Sequence, residues 1–367
     1  MSALQASGST QNAHIPNCLC YRLATVPPTR LQPRLNRSRN HARCPSRPAV
    51  CHLKVKAAGM ALSPETAKQL DRSLTKPGPL AEAEGIKLAR QLQDDGVLRA
   101  YGKARQTPKR IYSLDELRLN KIEPEKLLSP QDTTIDSVRR TLQVVALVAF
   151  IAASQILHLD AGQIGGTAIT TLFLIALDQI GNAGALEALL LDTAGRWINR
   201  DYGRRVASHE AGHFLIAYLM GILPRVYTLS TLDAFRKYGA LRVQAGTQFC
   251  DSEFQQEMGK GKMSSSSLDV YTCTALAGVC TEYVLFGESE GGLNDIQQLD
   301  GLLRALQFTQ KKADAQIRWS VLNDITLLRK YRAVHQKLAD AMASGKSVGN
   351  CIVLVESELA SIPDGEL

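Results

Sequence analysis

Aromatic residues are scarce, at 5% of 367 residues, too few for the stacking platforms on which single-stranded nucleic acid is read. Cysteines are not arranged for structure. Cys18, Cys20, Cys44 and Cys51 fall near the N-terminus, and the remaining four, Cys250, Cys273, Cys280 and Cys351, contain no CxxC pair, which excludes a zinc ribbon or a disulfide scaffold. Cys273 and Cys280 are seven apart and read as two small buried thiols on one helix face. Acidic residues are missing altogether before Glu65, while nine Arg and Lys precede it. The net charge of +8 therefore belongs to that stretch, and the rest of the chain carries −1. The basic balance is no argument for a nucleic-acid partner.

The acid-free stretch also lacks the continuous apolar run of a secretory signal, and its Arg, Ser and Pro content fits an organelle transit peptide. We place it at residues 1–57, with processing near Ala57 or Ala58 in Val55-Lys56-Ala57-Ala58. A plastid is the expected destination and a mitochondrion the alternative. Residues 58–138 read as a small, solvent-exposed helical region, broken at Pro77-Gly78-Pro79, Pro108, Pro124 and Pro130.

Residues 141–159 carry no formal charge, and as a helix would extend about 28 Å, close to the ~30 Å of a bilayer core. A second, shorter apolar stretch runs from Ile169 through Leu177 to Asp178. Together they suggest a membrane hairpin over residues 139–191. Arg139 and Arg140 stand before it, Arg196, Arg200, Arg204 and Arg205 after it, and only Asp160 in its turn, which satisfies the positive-inside tendency with both ends on one side. A pair of buried helices in a soluble domain is the competing reading, which His158, Gln143 and Gln155 support.

The sharpest signal is His209-Glu210-Ala211-Gly212-His213. Apolar residues around it repeat at helical spacing, and Gly221 and Pro224 mark the helix end. On a helix, imidazoles at i and i+4 face one side and can share one Zn²⁺, with Glu210 beside them as general base for a water. A catalytic zinc needs a third protein ligand. Only His158 and His335 remain after the leader, so a carboxylate is the better candidate, and spacing alone does not choose among the acids. By its setting, Asp295 follows glycines and precedes Ile296, Leu299, Leu302 and Leu303, and so reads as the opening of a helix.

His209-Glu210-Ala211-Gly212-His213, then Phe286-Gly287-Glu288, then Gly291-Gly292-Leu293-Asn294-Asp295-Ile296 together resemble the proteolytic domain of FtsH-type membrane zinc metalloproteases, over residues 204–312. The resemblance implies that Asp295 is the third zinc ligand. It leaves Glu282, in Ala277-Gly278-Val279-Cys280-Thr281-Glu282, as an alternative ligand or a partner of a ligating histidine. The expected fold of residues 192–367 is mainly α, and the short alternating patterns at residues 225–230 and 240–244 suggest a small β edge. That edge could hold an extended peptide.

The departures are informative. No Walker A loop occurs in these 367 residues, since Gly345-Lys346-Ser347 is preceded by Asp340 where that motif needs glycine. Phe214 replaces a small residue, and residues 259–267 read as a flexible loop. The expectation is a plastid membrane zinc metalloendopeptidase without its own ATPase motor, at the thylakoid and facing the stroma, or else at the mitochondrial inner membrane. Its partners would be polypeptide substrates, the membrane, and an ATPase or FtsH-type protease. The competing expectation is a non-proteolytic zinc-binding scaffold of a larger protease or photosynthetic assembly.

Overall fold

The computed structural model describes residues 63–75, 78–239, 245–260 and 262–363. The transit-peptide reading and the alternation at residues 240–244 lie outside them. The chain is mainly helical. In order come α1 (Pro64–Thr75), α2 (Pro79–Asp94), α3 (Leu114–Leu119), α4 (Pro124–Leu128), α5 (Thr133–Ile156), α6 (Ala161–Gly181), α7 (Ala185–Ile198), α8 (Arg200–Met220), β1 (Pro224–Thr228), α9 (Thr231–Tyr238), β2 (Gly246–Phe249), α10 (Ser252–Gly259), α11 (Ser265–Phe286), α12 (Leu293–Ala305), α13 (Gln310–Lys330), α14 (Arg332–Ala343) and α15 (Val348–Leu359).

The core is organised around α11, which is buried without interruption from Tyr271 to Glu282. A helix buried on every side has no polar face to present to solvent, and α11 is sandwiched between α8 and α13, with α14 covering α8. Helix α8 begins at Asn199, whose side chain accepts from Asp201 N–H, and ends at Gly221 in the left-handed region. That is the ending Gly221 and Pro224 signal in the sequence.

The N-terminal region is helical but does not stand apart. Leu70, Leu98, Leu117, Ile122 and Leu127 belong to the same buried cluster as Leu215 and Leu276. The N–H groups of Gly102 and Ala104 donate to the carbonyls of Tyr218 and Leu219 at 3.0 and 3.2 Å, adding to the bonds that satisfy the last carbonyls of α8. Tyr101 Oη donates to Gly221 O, and Trp319 Nε1 to Thr107 O. A separate solvent-exposed region is thus corrected to a strap completing the core. Proline breaks and polar faces make short helices look independent when their apolar positions are few.

The β edge is a two-stranded antiparallel pair, with Val226 opposite Gln248, Tyr227 opposite Thr247 and Thr228 opposite Gly246. The flexible loop expected at residues 259–267 is corrected in part, because Ser264 caps α11 by accepting from Ser267 N–H and helix runs on from there.

Among the described residues one helix is long and apolar enough to cross a membrane, and it is α6. This reverses the order expected from the sequence. The start of α5 carries Asp136, Arg139 and Arg140, whereas α6 extends well past Leu177 because Asp178 is buried and occupied. Its carboxylate accepts from Leu186 and Glu187 N–H at 3.2 and 3.1 Å, capping α7. The apolar side chains along both α5 and α6 are exposed, among them Val145, Leu147, Ile169, Leu172 and Phe173.

Candidate metal centre

One turn of α8 brings His209 and His213 to a common side, their Nε2 atoms 3.1 Å apart. Asp295, in the first turn of α12, reaches the same point: its Oδ2 lies 3.1 Å from His209 Nε2 and 3.4 Å from His213 Nε2. Four donors around one zinc at about 2.05 Å stand about 3.3 Å apart along each tetrahedral edge. The three observed separations match that edge.

The opposite ring nitrogens fix the tautomers. His213 Nδ1 donates to the carbonyl of Thr274 at 2.7 Å, and His209 Nδ1 donates to Glu282 Oε1 at 2.7 Å. With Nδ1 of each ring engaged, Nε2 is the atom that both rings turn toward Asp295, as ligation requires. Glu282 is not a ligand in this arrangement. Its second oxygen accepts from Arg205 Nε at 2.8 Å and from the N–H groups of Glu290 and Gly291 at 2.9 and 3.1 Å. Burial acts to raise its pKa, but these donors and His209 hold it down to about 2.

Asp295 behaves alike. Burial opposes its charge, and the two imidazoles beside it keep its carboxyl below the usual carboxylate range. Burial also works against a charged His209, yet Asp295 and Glu282 outweigh it and raise the imidazole pKa well above its ordinary value. The point where the three donors meet is a well of negative potential suited to a cation.

Glycines make the close approach possible. A Cβ on Gly278 of α11 would lie 2.2 Å from His209 Nε2, and one on Gly212 2.1 Å from Thr281 Oγ1. Gly292, with φ of 84°, opens α12 in a conformation open to glycine and strained for other residues. A Cβ there would meet Val279 Cγ2 at 2.4 Å.

Glu210 is buried on the same helix, its Oε2 accepting from Thr247 Oγ1 at 2.8 Å. It lines a cleft of about 190 Å³ together with His209, His213, Asp295, Gly246 and Thr247 of β2, and Asp132. Desolvation, then the neighbouring charges of Glu290 and Glu282, pushes Asp132 up to about 6, although Ile135 N–H donates to it.

All four residues singled out by sequence for the centre, together with Glu282, are brought together. His158 sits in the exposed turn between α5 and α6, and His335 donates through Nε2 to Ser208 O on the far side of α8. Neither joins the cluster. Sequence reasoning gave no place to Thr247, to the Thr274 carbonyl or to Asp132, and Arg205 stood out only as a flanking charge. Thr247 lies just past the alternation read at residues 240–244, and no signal in the sequence singled it out. Comparison with family models, curated proteins and solved structures finds no match for this chain.

Proposed function

We propose that this chain is a membrane-associated zinc metalloendopeptidase with no ATPase motor in its 367 residues. The observation that carries the reading is the meeting of two Nε2 lone pairs and one carboxylate oxygen at the edge lengths of a single tetrahedron, beside a buried glutamate on the same helix. Among the described residues three side chains converge there. A purely structural zinc would call for a fourth protein ligand and has no use for a base. The non-proteolytic scaffold is therefore the weaker reading.

His209, His213 and Asp295 would hold the ion. Zinc bound there supplies Lewis acidity, polarising a peptide carbonyl and acidifying a water. Glu210, with Oε2 fixed by Thr247, takes a proton from water and returns it to the leaving amine nitrogen. Glu282 and the Thr274 carbonyl hold the two rings in register. Strand β2 lines the cleft and is paired with β1 on one side alone among the described residues, so its other edge can receive an extended peptide backbone. The free edge of β2 beside the cleft suits an extended chain better than a folded domain. Substrates would thus be loosely folded, or delivered by an ATPase or FtsH-type partner, with a plastid membrane as the expected setting.

The test is Glu210→Gln in the full chain, assayed on an unfolded protein with zinc content measured alongside. The reading expects zinc retained and cleavage lost. Cleavage at the wild-type rate would overturn it.

A further inference from the structure

Helix α7 has two faces of opposite kind. Ala185, Leu191, Asp192 and Gly195 are buried against the protein. On the other side Leu186, Leu190, Thr193 and Trp197, spaced by four, three and four, form one exposed stripe. Trp197 is 90% exposed, although a tryptophan left fully in water forfeits a large apolar area. The charges flanking the stripe are already engaged. Glu187 accepts from Arg139 Nε at 2.8 Å and from Gln179 Nε2 at 2.7 Å, while Arg196 pairs with Asp192 and donates to the Leu229 carbonyl. The stripe has nothing but Leu, Thr and Trp to offer a partner.

Its neighbour identifies that partner. Helix α6, the one apolar enough to span a bilayer, ends at Gly181 with Ile180 87% exposed. Three residues intervene before α7 begins, forming a reversal in which Ala183 and Gly184 both have positive φ. At 1.5 Å per residue the 21 residues of α6 extend about 31 Å. A span of that length delivers its end, and the start of α7, to the boundary between acyl chains and headgroups. Tryptophan is enriched at that depth.

We propose that α7 lies in this boundary as an interfacial helix, with Leu186, Leu190 and Trp197 in the lipid, and that it seats the cleft against the bilayer surface. The cleft is built on the same root. Tyr202, which lines it, lies against Gly195 on the buried face of α7, where a Cβ would approach its ring to 3.4 Å. Asp132 lines it too and caps α5, whose Thr133 and Thr134 hydroxyls donate to Glu290 beside the Gly291–Gly292 turn. The substrates so favoured are polypeptide segments emerging from the membrane. This rests on the membrane and peptidase readings above.

The chain has two tryptophans, and Trp319 is 1% exposed, so emission that responds to the surroundings reports Trp197. Full-length protein is reconstituted in phosphatidylcholine vesicles containing lipid brominated either near the headgroup or near the chain end, with Trp197→Phe supplying the Trp319 background. The proposal expects protein that resists carbonate extraction and Trp197 emission quenched most by the shallow bromines. Protein retained in the vesicles with Trp197 open to aqueous iodide would overturn the interfacial helix while sparing the membrane span. Extraction by carbonate would overturn both. Trp197 shielded from iodide and bromine alike, in a cross-linked dimer, would overturn it in favour of a second copy.

None of these readings needs zinc or hydrolysis. A second arm compares one peptide tethered to lipid by a short spacer with the same peptide free in solution. The tethered form is expected to be cleaved at least about tenfold faster, with the advantage lost in Trp197→Glu. Equal rates would overturn the substrate assignment, and no cleavage of either would overturn it along with the peptidase reading, leaving fluorescence to decide α7.

Discussion

Glu282 Oε1 stands 2.7 Å from His209 Nδ1, on the side of the ring opposite Asp295. One carboxylate thus turns the imidazole and a second waits where its lone pair points. The two acids are thirteen residues apart and do different work on one ring. Their roles follow from the donors around them: Glu282 is saturated by Arg205 and two backbone N–H groups, whereas among the described residues Asp295 meets the two imidazoles alone.

If the proposed zinc site holds, Glu282→Gln should weaken zinc binding by roughly 10- to 100-fold, the usual cost of losing a partner behind a ligating histidine. The glutamine can accept from Nδ1–H, but its amide NH₂ then faces Arg205 and the two N–H groups as donor against donor. Competition with a chromophoric chelator measures this directly. Unchanged affinity would show that Glu282 does not orient the ring.

Gly278→Ala isolates the close approach of α11 to the centre. The new methyl would fall 2.2 Å from His209 Nε2, so the ring or the helix must move. Zinc stoichiometry should fall toward zero, although alanine favours a helix by about 0.5–1 kcal/mol over glycine. Gly301→Ala in α12 is the control, since nothing lies within 4 Å of its Cβ position. It should keep zinc and gain slightly in thermal stability. A Gly278→Ala protein with full zinc content would contradict the packing described for α8 and α11.

Thr247→Val tests how Glu210 is held. The hydroxyl donates to Glu210 Oε2 at 2.8 Å, and a hydrogen bond to a charged group contributes about 1.5–3 kcal/mol. If the proposed hydrolysis holds, kcat should drop by about tenfold or more with zinc content unchanged. A change in KM alone would place Thr247 in peptide binding instead.

The HExxH helix and its glycine ending were legible because the signal is local: helical spacing, then a residue suited to positive φ. The meeting of Asp295 with it, across more than eighty residues, was reachable only by resemblance, since an acid in a first helical turn looks the same whether it caps backbone amides or turns inward. Two misreadings share a cause in long-range packing. Asp178 looked like the end of an apolar stretch because nothing near it in sequence shows that the N-terminus of α7 folds back to use it. The region before α5 looked separate because its few buried positions, such as Leu98 and Ile122, find partners in elements far along the chain. Thr247 carries no motif, and its role exists only through the register of β2 against α8.

Asp324 has a role no motif suggests. It is fully buried on α13, and among the described residues neither carboxyl oxygen finds a hydrogen-bond partner. Burial pushes its pKa well above the usual 3.8, against a lowering contribution from the nearby Cys273 thiol. An acid whose folded pKa is raised contributes stability that is fully present below its unfolded value, near 4, and is lost as pH rises toward the folded value. Asp324→Asn keeps the shape and removes the ionisation. Its Tm relative to wild type should therefore climb as the pH is raised stepwise from about 5, a difference in which titrations common to both proteins cancel. A gap that stays constant over that range would mean that Asp324 ionises in the folded chain as readily as in the unfolded one, and that the core supplies it with a compensating donor.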